Sequence, residues 1–130
     1  MALTYVEIED RYKCITQTQP LITEVIIGDA QNGAYLIFLD QELKGINKTA
    51  NLGNASNVKN KRTIISATVV DTLDETNWVS ITVNIKEGSN TTVYGPYSKE
   101  ASNNLDTVCF IIKILNSADS GTRSIKTKRR

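Results

Sequence analysis

The segment WVSITVNIK, residues 78–86, constrains the fold more than any other stretch of the chain. Val79, Ile81, Val83 and Ile85 alternate with Ser80, Thr82, Asn84 and Lys86. A period of two, carried by β-branched side chains, puts one face of a strand in a core and the other against polar surroundings. TIISATVV, 63–70, repeats the pattern with Ile65, Ala67 and Val69 on one side. LITEVII (21–27) and AYLIFLD (34–40) are apolar on both faces, as central strands tend to be, and so is LDTVCFIIKIL (105–115).

These runs predict strands at Leu21–Ile27, Tyr35–Leu39, Thr63–Val70, Val79–Lys86 and Thr107–Leu115. A shorter strand around Thr91–Tyr97 ends at Gly95-Pro96, where proline cannot donate to a ladder, and belongs at an edge. Leu3–Ile15 supplies one or two more. Helical periodicity is short: DQELKGI (40–46) allows one turn at most. The prediction is therefore an all-β fold, a single antiparallel sandwich of about 7–8 strands, with a partly closed barrel as alternative.

Turn chemistry suggests the connections. Asn32-Gly33 suits the positive φ of a hairpin between the second and third runs. DTLDETN, 71–77, reads as the bend of a second hairpin. The stretch GINKTANLGNASNVKNK, 45–61, has five asparagines and few apolar residues, and reads as a long loop, either functional or mobile.

A chain of 130 residues that is 40% hydrophobic builds one ordinary domain, burying roughly two thirds of the surface its unfolded form exposes. Charge divides it. Arg123, Lys126, Lys128, Arg129 and Arg130 put five positive charges into residues 121–130 without an acid. Taking those five from fifteen leaves ten basic against fourteen acidic side chains, so residues 1–120 carry −4. The organisation predicted is a sandwich domain over 1–120 and a basic C-terminal arm over 121–130.

The acids Glu7, Glu9 and Asp10 stand where a secretory signal would carry an apolar run. The predicted location is the cytoplasm, or a particle assembled there. Cys14 and Cys109 are then reduced thiols, and the Asn-x-Ser/Thr triplets at Asn47, Asn54 and Asn90 carry no glycosylation signal.

Catalytic chemistry has little to work with. The absence of histidine removes the commonest general base and transition-metal ligand. Two distant cysteines make no zinc site. GDAQNGAY has two glycines at phosphate-loop spacing, but Ala34 and Tyr35 replace the required Lys and Ser/Thr. Asp29, Asp40, Asp71, Asp74 and Glu75 are the carboxylates available for glycosidase-like pairing, and all fall at turns or strand ends. No enzyme and no cofactor are predicted.

Asp71, Asp74, Glu75 and Asn77 crowd enough oxygens into one turn to be calcium candidates, though DTLDETN lacks the alternation and glycine of an EF-hand loop. The bend of a polar turn is the reading preferred. Trp78, on the face shared with Ser80 and Thr82, either caps one end of the sandwich or meets a partner.

The function these observations suggest is a non-catalytic structural or adaptor subunit of a larger assembly, such as a virus or phage particle or a bacterial secretion or injection apparatus. It would meet neighbouring protein subunits, including copies of itself, through sheet edges, polar loops and the basic tail. The partner-binding candidates are Trp78 and the tail residues Arg123, Ile125, Lys126, Lys128, Arg129 and Arg130. Two alternatives stand beside it: a calcium-, carbohydrate- or lipid-headgroup-binding module using the 71–78 loop, and a nucleic-acid-associated protein acting through its tail.

Overall fold

Alternation along the sequence becomes alternation of burial. A computed structural model describes residues 3–16, 18–28, 31–72, 77–101 and 105–117. Within them the strands are β1 (Leu3–Lys13), β2 (Pro20–Ile27), β3 (Asn32–Leu39), β4 (Glu42–Ile46), β5 (Ala50–Asn54), β6 (Arg62–Val70), β7 (Trp78–Glu87), β8 (Asn90–Glu100) and β9 (Thr107–Ser117), with a single helical turn, α1 (Ala55–Val58), between β5 and β6. In β7 the residues Val79, Ile81, Val83 and Ile85 are fully buried, and in β9 so are Val108, Phe110, Ile112 and Ile114.

The strands form two sheets. One has five strands in the order β1-β9-β6-β3-β4, the other four in the order β5-β2-β7-β8. The inner faces of both supply one core, in which Leu21, Ile37, Ile65, Ile81, Phe110 and Ile112 are fully enclosed. This is an all-β, sandwich-like arrangement, and no closed barrel forms. The five strands predicted from periodicity are all present, and β8 lies at a sheet edge.

Four expectations are corrected. The strands number nine among the described residues, and they are not all antiparallel: β1 pairs parallel with β9, Leu3 beside Thr107 and Lys13 beside Ser117. The stretch 45–61 is not one long loop, because it contains β5 and α1, and DQELKGI forms β4 rather than a helical turn. Ala50, Leu52, Ala55 and Val58 are the apolar residues of β5 and α1, and all four are buried. A short edge strand needs only this many inward side chains, so low apolar content hid it.

Neither predicted hairpin exists. β2 and β3 lie in different sheets, as do β6 and β7, so each connection crosses from one layer to the other. Asn32 and Gly33 sit inside β3, opposite Val70 and Val69 of β6. Gly33 is required for close approach rather than for a turn. A Cβ there would stand 2.7 Å from the Thr68 carbonyl oxygen and 2.8 Å from Ile27 Cδ1. The tight antiparallel connections lie elsewhere, at Asp40-Gln41 between β3 and β4 and at Gly88-Ser89 between β7 and β8. Gly88 takes the positive φ, at 61°.

Candidate functional site

The carboxylate proposed for calcium turns out to be enclosed. Asp71 follows β6 and is fully buried. Its Oδ1 accepts a hydrogen bond from Gln31 Nε2 at 3.0 Å, and the same amide donates to the Trp78 carbonyl oxygen at 3.1 Å. Gln31 Oε1 accepts from the Thr72 amide at 2.8 Å. Asp71 also exchanges backbone bonds with the segment leading into the neighbouring strand β9, its N–H donating to the Asp106 carbonyl and its carbonyl accepting from Leu105 N–H. One polar side chain thus ties together the start of β3, the end of β6 and the start of β7. Among the described residues Asp71 Oδ2 has no hydrogen-bond partner.

Asn77 is exposed, and its carbonyl accepts from the Ala101 amide. Asp74, Glu75 and Asp29 lie outside the described residues, as do Arg123, Ile125, Lys126, Lys128, Arg129 and Arg130 of the tail. Among the described residues no group of three or more His, Cys, Asp or Glu side chains is placed to hold a metal ion. Trp78 is 47% exposed at the start of β7, while Ser80, two residues on, is buried. Asp40 accepts from the Arg62 amide in the β3–β4 turn.

At the opposite end of β7 lies a residue that motif reasoning passed over. Glu87 extends the inward series Val79, Ile81, Val83, Ile85 by one more step and is fully buried. Its Oε1 accepts from Tyr12 Oη at 2.6 Å and from the Ile15 amide at 2.9 Å, and its Oε2 from both the amide and the hydroxyl of Thr16. Burial pushes this carboxyl up, but the bonds from Ile15, Thr16 and Tyr12 outweigh it and hold the group below the ordinary carboxylate range. Burial and the bond to Glu87 push the Tyr12 phenol well above its usual range. Burial likewise pushes Tyr94 up to about 12, and its hydroxyl donates to the Arg11 carbonyl. A carboxylate saturated by four donors is a clasp, holding the end of β1 to the other sheet. It has no free lone pair with which to act as a general base.

The outer faces of the two sheets differ in character. On the four-stranded sheet polar groups bind one another: Asn84 Nδ2 donates to Glu24 Oε1 at 3.1 Å, and Lys86 lies 3.6 Å from the same oxygen. The apolar residues there are separated by polar neighbours, Ile26 lying opposite Thr82 and Val93 opposite Asn84.

On the five-stranded sheet, the register lines up Leu43, Phe38 and Ile64 across β4, β3 and β6. The next row holds Ile46, Leu36, Ser66, Ile111 and, on the edge strand β1, Glu7. A third brings Ala34, Thr68, Cys109 and Tyr5 together. Leu43, Ile46 and Tyr5 are 46%, 54% and 60% exposed, and Leu36, Phe38, Ile64 and Ile111 are half-buried. A groove of about 280 Å³ runs between Ala34, Leu36, Ile46, Ser66 and Thr68. Towards one end the face becomes charged, and a second groove of about 530 Å³ is lined by Glu9, Asp40, Arg62, Ile64 and Lys113.

AYLIFLD and LDTVCFIIKIL are apolar on both faces, the pattern expected of central strands. They are central: β3 lies between β6 and β4, and β9 between β1 and β6. In a two-layer fold, however, a central strand still turns one face outward, so the second apolar face is the exposed one. Among the described residues no helix is long and apolar enough to cross a membrane. The chain matches no protein-family model, no curated protein and no solved structure.

Proposed function

We propose that this chain is a non-catalytic building block of a larger protein assembly, and that it meets its neighbour through the outer face of the five-stranded sheet. The observation that carries the reading is the apolar set Leu36, Phe38, Leu43, Ile46, Ile64 and Ile111 on that face. Apolar side chains gathered on one sheet face and bordered by charge are the composition of an interaction surface. The other outer face, interrupted by polar groups, offers the contrast expected of a surface left in water. The two fully buried carboxylates, Asp71 and Glu87, support the same reading, since both are engaged in holding strands together. The basic tail and Trp78, at the start of β7, remain additional contact points in this proposal.

Cys109 makes the reading testable. It sits on the proposed face, beside Tyr5 and Thr68, as a partly exposed free thiol, whereas Cys14 is buried. Alkylation of Cys109 in the native source, before any purification, should be slow compared with that of the same thiol in dilute purified protein. Equal, fast alkylation in both settings would show an uncovered face and overturn the proposal.

A further inference from the structure

We infer that the occupant of the five-stranded sheet's outer face is a second copy of this chain, the two copies packing face to face about a two-fold axis. The inference rests on the proposed assembly role and names the partner.

Area is the first argument. Five strands spaced by about 4.8 Å, with some eight residues rising about 3.3 Å each, give a footprint of roughly 600 Å². Two copies would then bury about 1,200 Å², which reaches the lower end of specific protein interfaces, about 1,200–2,000 Å². A covering strand or peptide would shield only a fraction of this width. A second sheet can match it, since sheets pack aligned with their side chains interdigitated about 10 Å apart.

Charge is the second argument. The polar end of the face carries both signs: Glu9 lies opposite Lys113 in the register, Arg11 opposite Leu115, and Arg62 on the far side of Leu115. Asp40 and Glu9 share a groove with Arg62 and Lys113. A strongly acidic or basic partner would meet like charges as well as opposite ones. Nucleic acid is disfavoured on the same ground, because Glu9 and Asp40 stand among the basic groups. A second copy brings the same mixed set. In an isologous contact one patch serves both partners, so an apolar centre meets an apolar centre.

The chain's own basic tail is the remaining intramolecular alternative, and its composition does not fit. Residues 118–130 contain Ala118 and Ile125 as their apolar side chains, against five positive charges. The face to be covered is apolar at its centre.

The test uses the full-length protein and three measurements. Sedimentation velocity over a wide dilution series should show a mass rising from 14.4 kDa to about twice that value. Alkylation of Cys109 should slow over the same concentration range. The double substitution Ile64→Lys, Ile111→Lys should hold the mass at the monomer value with an unchanged circular dichroism spectrum, while Thr82→Lys on the other sheet should leave dimerisation intact. Should the double variant lose its fold, the Cys109 protection curve of the unaltered protein still decides. A dimer whose Cys109 stays freely reactive uses another surface and overturns the inference. So does a monomer at every concentration. In that case Cys109 protected in the native source but not in purified protein would point to a different partner and leave the assembly reading standing. Cys109 reactive in both settings would sink the two together.

Discussion

Glu87 and Asp71 are both fully buried carboxylates at the rim of the same sandwich, yet their surroundings are opposite. Glu87 accepts four hydrogen bonds, from Tyr12, Ile15 and twice from Thr16, and both of its oxygens are engaged. Among the described residues Asp71 accepts a single side-chain bond, from Gln31, and its second oxygen has no hydrogen-bond partner. The first site is a complete network that crosses between sheets. At the second, backbone bonds to Asp106 and Leu105 and the Gln31 amide carry most of the connection. Burial alone therefore does not rank the two. The number of donors aimed at each oxygen does, since an unmet buried group is what makes a lost partner expensive.

The largest expected effect follows from removing the saturated group. Glu87→Ala should destabilise the fold by about 3 kcal/mol, lowering Tm by on the order of 10 °C, because Tyr12 and the 15–16 backbone lose their acceptor. A change of a degree or two in a calorimetric scan would mean that the clasp contributes little.

Acid should act on the same site. The carboxyl is held below its ordinary range, so its contribution is complete above the unfolded-state pKa and is lost as pH falls through the folded value. Denaturant midpoints measured from neutral pH downward should show this loss in the wild type and a flatter profile in Glu87→Gln.

Tyr12→Phe removes one of the four donors and should have a smaller effect, about 1 kcal/mol by chemical denaturation.

Asp71→Asn is expected to change stability least, by about 1 kcal/mol or less in either direction, since the bond from Gln31 is kept and the altered atom had no partner. Millimolar calcium should leave Tm unchanged in both forms. A calcium-dependent rise that disappears in Asp71→Asn would instead make the unpartnered oxygen a metal ligand, and would separate the two carboxylates by function as well as by stability.

The strands were legible because their evidence is local. Val79 to Ile85 and Val108 to Ile114 show their inward faces directly in the sequence, and Glu87 was visible in the same period, one step beyond the last isoleucine. Sheet membership was not legible. Asn32-Gly33 and the acidic stretch after Val70 look like hairpin bends, but whether a chain turns back to its neighbour or crosses to the other layer depends on partners far away. Gly33 is constrained by Thr68 and Ile27, which no short window contains. β5 escaped notice for a different reason: Ala50 and Leu52 are too few to establish a period. The outer-face residues Leu36, Phe38, Ile64 and Ile111 were visible as apolar, and only the two-layer architecture shows that their side chains turn outward.

The position of β9 governs the order in which this fold can be completed. It is the last of the described strands along the chain, yet it lies inside the five-stranded sheet, with β1 on one side and β6 on the other. During synthesis β1 therefore waits for a partner that begins at Thr107, and β6 waits with one of its edges open. Pairings this distant in sequence carry a large loop-closure entropy before any contact offsets it, which places folding in the slow range of milliseconds to seconds. A nascent chain arrested before Thr107 would display the apolar inner faces of β6 and β3 without the strand that completes their layer. Such a chain is a natural client for chaperones, and commitment to the native state comes only once Ser117 has left the ribosome.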